Sequence, residues 1–219
     1  MYYPYSVTAN YPLKMVRTDF DRLPAPVLPE GYTFRNYVPG DRHTWIGIRK
    51  ATEFYGTITP DSFQEEFGNN QKALQARQFF ICYSGEGAVA TATAWNGKNG
   101  SGRICGLAVL LAHAGRGLEE ALLSEACRRM KQFGYTGTSL DTSSSRLSEI
   151  ERCLKLGFLP EVVRPGDPSI WDDVLLTIQE MNKVPWFISL AAFLKRHLFP
   201  VKLHRSTDRR EDRDPDGQA

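Results

Sequence analysis

Gly115, Arg116 and Gly117 stand between an apolar run and an amphipathic segment, and no other spacing in the chain points so directly to chemistry. Glycines at such a junction permit a tight backbone turn and the close approach of a ligand. The first N–H groups of a helix starting at Leu118 have no intrahelical acceptor and lie at the positive end of the helix dipole. A terminus of this kind receives anions, and a pyrophosphate fits it. Arg116 adds a charged donor. A plain strand-to-helix turn needs the same glycines, so Gly-x-Gly alone does not separate the two readings.

Other candidates are scattered. Of the four histidines, His43 falls in the opening turn of a helix and His113 in the glycine turn, where a surface position is expected; His197 and His204 lie near the C-terminus. Glu53 and Asp141 are candidate general bases. Ser143, Ser144 and Ser145 follow a strand and can reach a ligand, although polar residues are common in turns. Cys82, Cys105, Cys127 and Cys153 show no Cys-x-x-Cys spacing and sit in apolar segments. That usage indicates a reducing, cytoplasmic setting and no metal site.

The elements that must position these residues can be read from periodicity. Arg103 to Leu111 is nearly all apolar from Ile104 onward, as in a strand buried on both faces. Leu118, Leu122, Leu123, Ala126, Cys127, Met130 and Phe133 repeat at helical spacing, and Gly134 ends that helix with a left-handed cap. A second strand ends at Leu140-Asp-Thr142, and a helix from Leu147 to Leu156 leads into Gly157-Phe158. Upstream, Tyr32–Val38 alternates as a first strand. Asp41 caps a helix running to about Phe54, with Trp45, Ile48 and Ala51 inward, and Thr59-Pro60 opens another that ends at Gly68. Two strands, 78–84 and 88–95, form a hairpin across Gly85-Glu-Gly87. Three antiparallel strands followed by strand–helix–strand–helix–strand imply an α+β fold with a central mixed sheet flanked by helices.

In order, GRICGLAVLLAHAGRGLEEALL, GYTGTSLDT and IERCLKLGFLPE resemble the GNAT superfamily of acyl-CoA-dependent N-acetyltransferases. The resemblance runs from about Leu28 to Val163. It is strongest at Ala108-Val109, Gly115-Arg-Gly-Leu118, Ala121-Leu-Leu123 and Leu154-Lys-Leu-Gly-Phe158. It implies acetyl-CoA as co-substrate, with Leu107, Ala108 and Val109 along the pantetheine arm and Ala114, Gly115, Arg116, Gly117 and Leu118 around the pyrophosphate. A strand N–H near Val109 would serve the oxyanion. The acceptor would be a primary amine of a small molecule or peptide, with the junction holding Glu53, Tyr55 and Thr57 on the acceptor side.

The chain also departs from that pattern. Ala114 stands where the family has Arg or Gln, Glu119 where it has Gly or Ala, and Leu111 where Pro is common. Cys153 replaces the tyrosine that lies beside the thioester sulfur. A thiol, with an ordinary pKa of about 8.5, can in principle protonate the leaving thiolate, which makes Cys153 the catalytic candidate. It is much shorter than tyrosine, and the other reading is a small buried residue on the helix's inner face. Glu119 and Glu120 put acidic charge in the first helical turn, which stabilises an empty terminus and repels a bound anion. Three function classes therefore stand: an N-acetyltransferase, a degenerate member kept as a binding or regulatory module, and a membrane-associated interaction protein.

The last of these rests on Pro185 to Phe199, an apolar stretch followed by Lys202 and Arg205. It reads as a helix packed on the domain or on a second copy in a homodimer, or as an interfacial membrane helix; packing is preferred. The 219 residues suit one domain with additions: an extension and proline-rich linker at 1–27, the catalytic-type domain at 28–167, a helical extension at 168–204, and a disordered tail at 205–219. Apolar content of 42% and charged content of 24% are those of ordinary soluble proteins. A net charge of +2 makes no case for nucleic acid. No stretch is apolar for long enough to span a bilayer, and no N-terminal signal peptide is evident.

Overall fold

The computed structural model describes residues 10–54, 56–97 and 100–182. Tyr55, the apolar stretch 185–199 and the 205–219 tail lie outside the described residues. Seven strands form one sheet in the order β2-β3-β4-β5-β6-β1-β7. In chain order these are β1 (Pro12–Arg17), β2 (Tyr32–Asn36), β3 (Gln78–Tyr83), β4 (Gly87–Asn96), β5 (Gly102–Val109), β6 (Thr138–Ser143) and β7 (Leu159–Glu161). The helices are α1 (Asp41–Thr52), α2 (Ser62–Phe67), α3 (Gln71–Arg77), α4 (Leu118–Gln132), α5 (Leu147–Lys155) and α6 (Asp167–Asn182). β5 and β6 pair in parallel and the other neighbours are antiparallel, so the sheet is mixed, with helices packed on it, as expected.

Three differences from the sequence reading have physical reasons. The first is β1. Residues 12–17, assigned above to the N-terminal extension, fill the slot between β6 and β7, with Pro12 opposite Ser143 and Met15 opposite both Leu140 and Pro160. Leu13, Met15 and Arg17 point inward and are buried. The sheet thus needs a segment placed outside the domain. The second is α3, seven residues that bury only Leu74 and therefore lack an apolar stripe to announce them. The third is α6, a 16-residue helix from Asp167 to Asn182, where the sequence reading gave only a helical extension at 168–204. The Asp167 carboxylate accepts the backbone N–H groups of Val163 and Arg164 and so organises the helix start, while Trp171, Val174 and Ile178 are buried. Among the described residues no helix is long and apolar enough to cross a membrane.

On one face of the sheet, α1 and α2 build an aromatic core. Trp45 meets Phe63 and Phe67 edge to face, each with ring centroids 5.4 Å away. On the other face α4 buries Leu118, Leu122, Leu123, Ala126, Cys127 and Met130. Met130 also closes over Gly102, where an added Cβ would meet its sulfur at 2.5 Å. Burial pushes the Cys127 thiol up to about 12, so it packs as a neutral group.

Candidate active site

The site begins where two strands part. Parallel pairing of β5 with β6 covers only Gly102–Ile104 against Thr138–Leu140. Beyond that point β5 continues to Val109 and β6 to Ser143 without a shared ladder. β5 therefore departs from the doubly buried strand expected of its sequence. Ile104 and Ala108 are buried, while Cys105, Leu107 and Val109 are half-buried toward the gap. A bulge adds to the opening: Thr93 pairs with Cys105 but Thr91 with Ala108, leaving one extra residue on β5. Gly106 takes the required left-handed conformation, φ +64°.

The cleft holds about 400 Å³ and is lined by Ile104 to Leu107, Leu140 to Ser143, and side chains from α1, α4 and α5. A smaller lobe of about 140 Å³ continues along Leu107, Ala108 and Val109 to Ala114 and Glu119. Leu107, Ala108, Val109 and Ala114 all line this lobe, which shares Arg49, Leu107, Arg146 and Glu149 with the larger cleft. Phe54 and Leu111, 77% and 78% exposed, flank this lobe and give it an apolar mouth.

Next to this lobe stands the glycine turn. After a single 3₁₀ turn at Leu111–His113, Gly115 and Gly117 adopt φ of +73° and +79°, and Gly117 forms the N-cap of α4. Ala121 N–H is the first helical donor, to Gly117 C=O. Among the described residues, none of the N–H groups from Gly115 to Glu120 has an acceptor. A Cβ at Gly115 or Gly117 would meet nothing within 4 Å, so the turn faces open space. Unpaired donors over free volume fit a diphosphate. Arg116 is exposed, and Leu118 is wholly buried and anchors the helix beneath.

His113 is placed differently from the surface position expected. It is 4% exposed and bridges Tyr32 Oη at 2.8 Å and Glu86 Oε2 at 3.1 Å. It ties the turn to β2 and to the β3–β4 hairpin and does not face the cleft lining.

The opposite end of the cleft is built from ion pairs. Glu53, just past the C-terminus of α1, accepts from Arg49 at 3.2 Å and from Arg146 at 2.8 Å. Arg146 also approaches Glu149 at 3.5 Å. Arg103 of β5 pairs with Glu66 of α2 at 3.2 Å and lies 3.8 Å from Asp141. Of these residues, sequence reasoning singled out only Glu53 and Asp141. The four-residue step from Arg49 to Glu53 is a helical ion-pair spacing that could have flagged Arg49. Arg146, 93 positions from Glu53, left no such local signal.

Cys153 lies on the inner face of α5, at the cleft lining, and its side chain is fully buried. Burial pushes its thiol well above the ordinary cysteine range, and nearby Glu149 adds to this. Ser143 lines the cleft, whereas Ser144 and Ser145 turn to Tyr11 and Asn10.

Residues 48–158, just over half of the chain, match the acetyltransferase (GNAT) family, and the chain belongs to that family. Similar solved structures share the fold. A GCN5-related N-acetyltransferase from Sphaerobacter thermophilus is 22% identical with a TM-score of 0.61, over 69% of this chain and 49% of that one. A GNAT-family acetyltransferase from Novosphingobium aromaticivorans is 18% identical with a TM-score of 0.51, over 74% and 66%. The ribosomal-protein alanine N-acetyltransferase of Escherichia coli is 18% identical with a TM-score of 0.52, over 61% and 81%. The chain thus spans about half the length of the Sphaerobacter protein. No curated protein sequence matches it.

Proposed function

We propose that this protein transfers an acetyl group from acetyl-CoA to a primary amine of a small molecule or peptide. The observation that carries this reading is the row of unpaired N–H groups at Gly115–Glu120, next to a lobe that adjoins the cleft between the parted strands. The backbone amides would hold the pyrophosphate, with Arg116 in support. Leu107, Ala108 and Val109 would border the pantetheine arm. The acceptor would enter at the ion-paired end. Four carboxylates (Glu53, Glu66, Asp141, Glu149) outnumber three guanidiniums (Arg49, Arg103, Arg146) in that lining. A net negative lining draws in an amine that arrives as an ammonium ion.

The amine must lose a proton before it attacks, and a carboxylate or a water chain in this lining can take it. Cys153 is the poorer choice for the opposite task. A thiol raised well above the ordinary range is a weaker acid than the coenzyme thiol, so it would give its proton to the leaving thiolate uphill. Its burial favours a packing role, with solvent supplying that proton.

Calorimetric titration with acetyl-CoA tests the reading. Saturable binding is expected, followed by release of free thiol when a primary amine is added. Binding without amine-dependent thiol release would favour a degenerate binding module. No heat of binding at millimolar acetyl-CoA would remove the enzyme reading altogether.

A further inference from the structure

Trp45 is 1% exposed, and its indole N–H has no hydrogen-bond acceptor. A buried donor left unpaired costs roughly 1–3 kcal/mol, so its persistence calls for an explanation. The ring cannot turn away to find a partner, because Phe63 and Phe67 hold it at 5.4 Å on their side. Its nitrogen is directed at Gly106: an added Cβ there would stand 2.9 Å from Nε1. Gly106 is the left-handed bulge residue of β5 and lines the cleft. The glycine serves two needs at once, a positive φ and room for the indole.

We propose that the Trp45 indole N–H is a catalytic donor to the carbonyl oxygen of the acyl thioester. The proposal rests on the acyl-transfer reading above and assigns one residue within it. As the amine lone pair forms the C–N bond, the carbonyl π pair moves onto oxygen, which accepts the indole hydrogen bond without taking the proton. When the C=O bond re-forms, the C–S bond breaks and the thiolate leaves with its electron pair. The ammonium proton passes to solvent, and the thiolate takes a proton from solvent. A donor fixed in place before charge develops has no reorganisation to make. The indole nitrogen is closed to water, and the Arg49 guanidinium lies over the ring at 5.8 Å. Because the nitrogen is covered in the absence of ligand, the carbonyl reaches it only with a local shift of the groups around it.

The test is the indole N–H resonance in the full chain. Only four tryptophans contribute. Trp45→Phe assigns the signal; should that variant not fold, Trp95→Phe, Trp171→Phe and Trp186→Phe assign it by elimination. Acetyl-CoA should move the Trp45 resonance downfield, and coenzyme A without an acyl group should not. Both ligands should move the amides of Gly115 and Gly117. If the glycine amides respond to acetyl-CoA and the indole does not, the proposal is overturned while the coenzyme reading stands. If neither responds, both fall. A folded Trp45→Phe should lower the rate of amine-dependent thiol release by about 10²-fold, the loss expected for one oxyanion donor, with a much smaller loss of affinity for acetyl-CoA.

Discussion

The two ends of the cleft are made in different ways. At Gly115–Glu120 the proposed binding groups are backbone amides of consecutive residues, left without acceptors because a helix starts there. At the other end the groups are side chains from several elements, each carboxylate paired with a guanidinium: from a distant segment at Glu53, Glu66 and Asp141, and from within one helical turn at Glu149. The first end depends on backbone conformation and tolerates changes of side chain. The second depends on which side chains converge, and it can be altered without touching the glycine turn.

The largest effect should come from the backbone end. Gly117→Val places a branched side chain where φ is +79° and where, on the proposed reading, the diphosphate would approach. Coenzyme binding should disappear, as measured by titration, while circular dichroism keeps the helical signal. Retained binding would show that the amides are not the contact.

Arg146→Ala should do the reverse. It removes a charged hydrogen bond from Glu53 and one partner of Glu149, costing about 1–3 kcal/mol in thermal or urea unfolding. Affinity for acetyl-CoA should stay within a few-fold. A large loss of coenzyme affinity would mean that the two ends are not separable.

The helix that carries Trp45 and Arg49 and leads into Glu53 is pinned at its start by Asp41. Burial opposes the charge on Asp41, but the Arg35 guanidinium, 2.6 Å away, and the Val38 N–H outweigh it and hold the carboxyl below its usual range. Because the folded value is the lower one, the unfolded chain binds more protons in that window. The contribution to stability is complete above the unfolded value of about 3.9 and is lost as pH falls through the folded value. Asp41→Asn should cost about 1.5–3 kcal/mol at neutral pH, nearer the low end because Arg35 is partly exposed. The difference between wild type and variant should close on the acid side; a gap independent of pH would contradict the assignment.

The smallest effect is at Glu119, which lines the outer lobe in the first turn of α4. Glu119→Gly removes an anion near the diphosphate and should tighten coenzyme binding by about 0.3–1 kcal/mol, a few-fold. Added salt should shrink the gain. Weaker binding would show that Glu119 supports the turn.

What could be read from the sequence follows the same division. The strand, glycine turn and α4 are contiguous, and their apolar spacing and glycines are local signals, so turn and helix fall where expected. β1 was hidden, although Leu13 and Met15 alternate with Lys14 and Val16, because six residues among tyrosines and prolines carry little weight. Their partners near Ser143 come from the far half of the chain. Gly106 looked like one more small residue in an apolar run. Its bulge is visible only when β4 is set beside β5. The Glu53–Arg146 pair has no local signature at all, since it exists only once α1 and α5 meet across the cleft.

The central claim is that the unpaired amides of the turn hold the coenzyme, and hydrogen exchange reads those amides directly. Without ligand, a peptide covering Gly115 to Glu120 should exchange freely, because among the described residues those N–H groups have no acceptor. With saturating acetyl-CoA the same peptide should become protected, while α6 keeps its exchange rate. Binding heat without protection of Gly115–Glu120 would place the coenzyme elsewhere and contradict the account.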